Sequence, residues 1–295
     1  PDAGAGIPPA DAAVAAPAAD LATGPPDLAY QSLIQARPYK SKIPANYDPR
    51  KPWPLIVLLH GYSADGTTQD LYFGLGAQVD PKGFLYAYPD GTQDKTGVRF
   101  WNATDACCDL YKSGVDDVAY VNAVIDDMRF KFTVDPKRIF LAGHSNGAFM
   151  SHRMACESSS RIAAIMALAG DNWMDSSKCQ PSQPVAVLQV HGDADAVILY
   201  KGGSVLGIVS PYPSAHDSVG TWVARNGCDI KAQAGSSIDL ESVLFGNETT
   251  VEKWPGCRPG GAAELWTIRG GSHLPSFNKN WAPAIVDWLF AHPKP

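Results

Sequence analysis

The chain has 295 residues, 45% of them apolar and 18% charged, and a formal net charge of -6. It is long enough to bury a sizeable core, and no apolar run approaches the roughly 20 residues that span a bilayer. The acidic balance, with Lys and Arg scattered and no basic run, argues against nucleic acid as a partner.

Residues 1–28 stand apart. They are mostly Ala, Pro, Asp and Gly, with too little apolar surface to offset the entropy of ordering them, and they read as a disordered tether. The segment shows no charged and apolar leader, so it reads as an exported chain whose targeting segment has been removed, secreted or held at the cell surface or in a periplasm. One catalytic domain is expected over 29–295. Residues 32–36 and 39–43 read as edge strands. Residues 54–60 are a buried strand ending in His60-Gly61, and a helix is expected near 69–79. A second buried strand covers 83–88, and a long loop over 92–113 holds Trp101 and two adjacent cysteines. The spacing of Val118, Val121, Ile125, Met128 and Phe132 predicts an amphipathic helix over 115–132. Residues 139–142 are a short apolar strand, followed at once by helical spacing over 148–156. Further buried strands fall at 163–168 and 185–190, a helix at 215–225, and a polar hairpin excursion at 229–262. A last strand at 264–268 precedes a closing helix at 280–291. Apolar strands alternating with helices imply a mainly parallel central sheet covered by helices on both faces.

Gly143-His144-Ser145-Asn146-Gly147 sits between the strand at 139–142 and the following helix. Strand, sharp turn and helix are the context of a nucleophile elbow, although G-x-S-x-G also arises by chance as a tight turn in a chain with 27 glycines. A serine hydroxyl is a poor nucleophile unless a base and an orienting acid reach it. His273 follows the last strand in a Gly-rich loop and is the expected base. Asp193 and Asp195 both follow the strand at 185–190. Asp195 is better placed to curl back toward His273, with Asp193 capping the turn. The order Ser, Asp, His is that of an α/β-hydrolase. His60, His144 and His191 read as packed, hydrogen-bonded histidines, while His152, His216 and His292 read as structural or exposed.

An oxyanion needs backbone N–H donors. Asn146, at a helix N-terminus, supplies one, and the loop after His60-Gly61 supplies the other from Tyr62, with Ser63 as second choice. The segment between 169 and 185 is too short for a helical lid. An open site rimmed by Tyr62, Trp101 and Val197 is therefore expected, although Trp101 serves equally well as core. No metal or cofactor is called for, and a monomer with an ester substrate, polymeric if the cleft is open, is the expected state.

The six cysteines form no C-x-x-C pair, which favours disulfides and an oxidising compartment over zinc. Cys228 and Cys257 bracket a polar segment between two elements and are expected to pair. Cys107 and Cys108 would diverge in an extended stretch, so each is expected to pair with Cys156 or Cys179, in either order. The alternative is free buried thiols.

These residues resemble the secreted α/β-hydrolase esterases that group polyhydroxybutyrate depolymerases with feruloyl and acetylxylan esterases. The matching stretches are Leu58-Leu-His-Gly61, Trp101-Asn-Ala103 with Cys107-Cys108, Val115-Asp-Asp-Val118, the elbow with Met154-Ala-Cys-Glu157, His191-Gly-x-x-Asp195, Asn226-Gly-Cys228 and Gly270-Gly-Ser-His273. The resemblance implies Ser145, Asp195 and His273 as a triad and agrees with a Cys228–Cys257 bridge. Leu274-Pro275 stands where depolymerases often carry Trp-Pro, which bears on polymer specificity and not on ester chemistry. A polyhydroxyalkanoate depolymerase or oligomer hydrolase is the expected function, with a feruloyl or acetylxylan esterase as the alternative. A non-catalytic hydrolase-fold binding protein, or a peptidase on the same fold, would be an answer of another class.

Overall fold

The computed structural model describes residues 28–207 and 210–295, so the expected tether lies outside the described residues, Leu28 excepted. Among them nine strands form one sheet: β1 (Lys40–Lys42), β2 (Trp53–Leu59), β3 (Leu85–Tyr88), β4 (Val134–His144), β5 (Ala164–Leu168), β6 (Ala186–Gly192), β7 (Gln233–Ala234), β8 (Thr249–Trp254) and β9 (Ala262–Ile268). Their spatial order is β1-β3-β2-β4-β5-β6-β9-β8-β7. The six strands from β3 to β9 run parallel, and the outer strands at each edge are antiparallel.

The central strands read as continuous apolar runs because both faces are covered. Leu55, Val57 and Leu59 of β2 fill one core layer and Ile56 and Leu58 the other, as alternation along a strand requires. Each such side chain contributes about 1.5–3 kcal/mol when fully buried, so a polar residue on either face would be costly. Helices α4 (Asp117–Lys131), α5 (Asn146–Glu157) and α6 (Ala215–Asn226) pack on the first face, and α2 (Gly66–Phe73) and α7 (Trp281–Phe290) on the second. The N-termini of α2, α4 and α6 are capped by Asp65, Asp116 and Ser214, whose side chains accept backbone N–H bonds from Thr68, Ala119 and Asp217.

Three expectations change. Residues 32–36 are not an edge strand but part of α1 (Leu28–Ala36). Tyr30, Leu33, Ile34 and Arg37 recur at helical spacing, and Leu33 and Ile34 pack on the core, while Arg37 ion-pairs with Asp117 at 2.7 Å. So short an apolar stretch cannot by itself separate a period of 2 from one of 3.6. The helix near 69–79 is broken at Gly74, whose left-handed conformation (φ 68°) ends α2 before a 3-10 turn and α3 (Val79–Lys82). The excursion at 229–262 does not stand off the body: its strands β7 and β8 extend the main sheet beyond β9. The connection from β5 to β6 holds only a 3-10 turn, Ser176–Lys178, and no lid.

His60, Ser145, Asp195 and His273 thus follow the carboxyl ends of β2, β4, β6 and β9, where sites in open α/β sheets form.

Candidate active site

Ser145 is the residue between β4 and α5, and its backbone is held at φ 53° and ψ −119°. Such a conformation costs a non-glycine residue about 1–3 kcal/mol and persists only where the surroundings enforce it. Here the Ser145 N–H donates to Leu168 O at 2.8 Å and its carbonyl accepts from the N–H groups of Ala148 and Phe149. The flanking glycines have a steric reason. A Cβ on Gly143 would lie 2.2 Å from Gly147 O, and one on Gly147 would lie 2.1 Å from Leu59 O. Strand, turn and helix can close this tightly only without those side chains.

His273 Nε2 lies 3.1 Å from Ser145 Oγ, and His273 Nδ1 lies 2.8 Å from Asp195 Oδ2. A carboxylate oxygen only accepts, so Nδ1 carries the proton and Nε2 is free to accept from the serine hydroxyl. Asp195 Oδ1 accepts the N–H groups of Val197 and Ile198 at 2.7 and 2.9 Å, and His191 Nε2 stands 3.4 Å from Oδ2. Burial disfavours the Asp195 carboxylate, but the two histidines and the Val197 N–H outweigh it and hold the group below the usual carboxylate range. The other aspartate of the pair, Asp193, accepts the Gly270 N–H at 2.6 Å and so braces the base loop without reaching His273.

The loop after β2 closes over the serine. A Cβ on Gly61 would sit 3.5 Å from Ser145 Cβ, and Tyr62 is the next residue of that loop. The N–H groups of Tyr62 and Asn146 donate to no described residue, whereas Ser63 N–H is already committed to Arg99 O at 2.9 Å. Asn146 opens α5, where the helix dipole favours negative charge.

A strained serine, an imidazole and a buried carboxylate in one hydrogen-bonded line can be compared with known proteins. The phospholipase/carboxylesterase family model matches residues 45–206, more than half of the chain. The chain belongs to the phospholipase/carboxylesterase family. It is an esterase of that family, a carboxylic ester hydrolase on an α/β-hydrolase fold. It is 29% identical over 238 residues to feruloyl esterase B of Piromyces equi, covering 79% of this chain but only 41% of that protein. It is 27% identical over 283 residues to feruloyl esterase D of Neurospora crassa, covering 90% of this chain and 84% of that one. Among solved structures, an acetyl xylan esterase from Aspergillus awamori shares the fold with a TM-score of 0.62 at 15% identity, over 85% of this chain and 92% of that one.

Around Ser145, His273 and Asp195 the other residues singled out in the sequence divide. Val197 is 56% exposed two residues after Asp195, Leu199 beyond it and Leu274 next to His273 are also exposed, and Tyr62 is half-buried. Trp101 is not at the rim. It is 0% exposed, donates its indole N–H to His60 O at 3.0 Å, and lies in the core between the His60 and Tyr120 rings. The Asn146 side chain clamps its backbone, accepting the Trp101 N–H at 2.7 Å and donating to the Trp101 carbonyl at 2.9 Å. A large aromatic beside a catalytic loop satisfies either role in a sequence, and burial decides between them.

The cysteine pairing also needs correction. Cys107 and Cys108 are bonded to each other, and Cys156 pairs with Cys179. The stretch around 107 is a turn, with Cys107 N–H donating to Thr104 O, so the two side chains do not diverge as they would in a strand. Cys156–Cys179 therefore ties the end of α5 to the connection after β5, not to the loop bearing Trp101. Cys228–Cys257 is formed as expected.

His60, His144 and His191 are buried. His60 Nδ1 lies 2.7 Å from the carbonyl of Gly61, to which it donates, and Nε2 accepts the Gly91 N–H. His152, expected to be structural or exposed, is fully buried, donating from Nε2 to Gln189 and accepting the Trp222 indole N–H at Nδ1. What sequence reasoning missed is that His144 and His191 touch His273 and Asp195 respectively. His144 Nε2 lies 3.0 Å from the carbonyl of His273. The available signal was position: both stand at strand ends, one and four residues from Ser145 and Asp195. No group of His, Cys, Asp or Glu among the described residues has the arrangement of a metal site.

Proposed function

We propose that this chain hydrolyses carboxylic esters as a serine esterase through an acyl-enzyme, with Ser145 as nucleophile, His273 as base and Asp195 as the acid that orients it. The observation that carries this reading is the hydrogen-bonded line Ser145–His273–Asp195 on the strained turn. His273 Nε2 takes the Ser145 proton as Oγ attacks the ester carbonyl, and the N–H groups of Tyr62 and Asn146 receive the oxyanion. Each such donor is worth about 3 kcal/mol of transition-state stabilisation. Collapse returns the proton to the leaving alcohol and leaves an acyl-serine. Water, deprotonated by His273, then attacks the acyl carbonyl and releases the carboxylic acid and free Ser145.

For substrate, we favour feruloyl or acetyl esters on plant polysaccharide, because the relatives above are named for those esters and the described connection from β5 to β6 carries no lid to restrict bulky alcohols. The polyhydroxyalkanoate reading is second and rests on the motifs quoted from the sequence, with Leu274 standing where depolymerases often carry Trp. Residues 29–295 are read as the catalytic domain. Three disulfides with no free cysteine among the described residues support secretion, and no described helix is long and apolar enough to cross a membrane. Turnover of methyl ferulate, acetylated xylan and hydroxybutyrate oligomers by the wild type and by Ser145→Ala tests the reading. Preference for the first two substrates, lost in the variant, is expected. A preference for the oligomers would overturn the substrate assignment, unchanged turnover in the variant would overturn the mechanism at Ser145, and a wild type that turned over none of them would leave the binding-protein alternative standing.

A further inference from the structure

His144 sits at the junction of three parts of the site. It is the last residue of β4 and is joined directly to Ser145. Its Nε2 faces the His273 carbonyl at 3.0 Å, and because a carbonyl only accepts, Nε2 carries the proton and donates. Its Nδ1 lies where a Cβ on Gly61 would approach to 3.2 Å, so the loop that brings in the Tyr62 amide rests against the same ring. The remaining faces are filled by aromatic side chains: Tyr72 edge-on at 5.5 Å, Phe73 at 6.3 Å and the His273 ring itself at 5.0 Å. Elbow, base loop and oxyanion loop therefore all meet one buried imidazole.

The base loop has other anchors, but among the described residues only His144 hydrogen-bonds the backbone of His273, whose ring meets Asp195 and Ser145. Asp193 accepts the Gly270 N–H, Tyr72 donates its hydroxyl to Pro275 O, and Glu241 accepts the Ser276 N–H at 2.7 Å. These hold the two ends of the turn and would keep the loop folded without His144. Between them, the peptide that bears the base is fixed by His144.

Resting on the serine-esterase reading above, we infer that His144 is a positioning residue that sets the His273 ring in register with Ser145 by hydrogen-bonding the His273 carbonyl. It touches no reacting atom and exchanges no proton. Burial and the neighbouring His273 push its pKa down to about 3, so it stays a neutral Nε2–H donor at any pH at which His273 works as a base.

The test compares His144→Phe, which keeps a ring but loses the donor, with His144→Gln, whose side-chain amide N–H can replace it. His144→Met gives a second donorless side chain should the phenylalanine not fold. With p-nitrophenyl acetate, and concentrations normalised to burst amplitude, the donorless variants should lose about 10- to 100-fold in kcat with KM within about twofold, the loss expected of a misplaced catalytic group. Glutamine should recover most of it. A readout independent of esterase activity is the downfield proton resonance of the His273 Nδ1–H bonded to Asp195. It should persist in His144→Gln and broaden through faster exchange in the donorless forms. Donorless variants with wild-type kcat and a sharp His273 resonance would overturn the inference, as would a glutamine variant no better than phenylalanine. If Ser145→Ala retained full turnover, the esterase reading of the site would fail instead, and the resonance would still decide the role of His144.

Discussion

The loop bearing His273 and the loop bearing Trp101 both follow carboxyl ends of parallel strands, β9 and β3 at opposite sides of the sheet, yet they are built in opposite ways. In the first, the side chain that matters is partly open and the backbone is gripped by side chains from elsewhere: buried His144 at His273 and Glu241 at Ser276, with Asp193 at Gly270 and Tyr72 at Pro275. In the second, the large side chain is spent on packing beneath His60, and the backbone around it is clamped by Asn146. One loop presents a group to the site and the other plugs the floor under it. Substitutions in the two should therefore separate into losses of rate and losses of stability.

The largest effect should come from His273→Ala. It removes the proposed base without disturbing a buried layer, so kcat on p-nitrophenyl acetate should fall about 10,000-fold or more while urea unfolding stays near wild type. Trp101→Ala should show the reverse. Emptying a fully buried tryptophan site costs about 3–5 kcal/mol, visible as a lower urea midpoint, while molecules that remain folded keep their KM. A KM that rose with unchanged stability would return Trp101 to the substrate rim.

A smaller effect distinguishes the support behind the acid. Asp171 is fully buried, and burial pushes its carboxyl up from 3.8 to about 7 against the pull of His191. An acid raised on folding binds a proton that the unfolded chain has already released, so stability falls as pH rises from about 4 to about 7 and is level above that. Relative to Asp171→Asn, the wild type should lose on the order of 2–4 kcal/mol between pH 4 and pH 8 in urea titrations. A difference independent of pH would mean that Asp171 is ionised or paired throughout. The smallest effect is expected at Val197, exposed beside Asp195. Val197→Ser should leave stability within about 0.5 kcal/mol and raise KM for an ester with a bulky alcohol by roughly threefold to tenfold, the worth of one or two buried methyl groups. An unchanged KM would remove Val197 from the substrate surface.

The same contrast explains what could be read from the residues. Gly143 and Gly147 admit one local geometry, since any side chain would meet backbone oxygen, and so the elbow was legible. So were the central strands, whose uninterrupted apolar character follows from burial on both faces. Helix α1 was not, because Leu33 and Ile34 suit a strand as well as a helix until α4 is known to lie against them. Nor was the pairing of Cys107 with Cys108, which depends on a turn that composition does not reveal. Trp101 shows the limit most clearly: its type fits rim and core equally, and only the position of His60 and Tyr120 settles it. His144 and His191 were legible as buried histidines but not as neighbours of the Ser145–His273–Asp195 line: His144 touches His273, far away in sequence, and His191 meets Asp195 and Ile198 only because the turn after β6 folds back on it.

The central claim is that Ser145 carries the acyl group. Rapid quench of the enzyme with p-nitrophenyl acetate at mildly acidic pH, followed by intact-mass and peptide mass spectrometry, tests it directly. The account predicts a burst of p-nitrophenol with one acetyl group on the peptide containing Ser145, absent in Ser145→Ala. Full turnover with no acetylated Ser145, or acetylation at another residue that persists in Ser145→Ala, would contradict it.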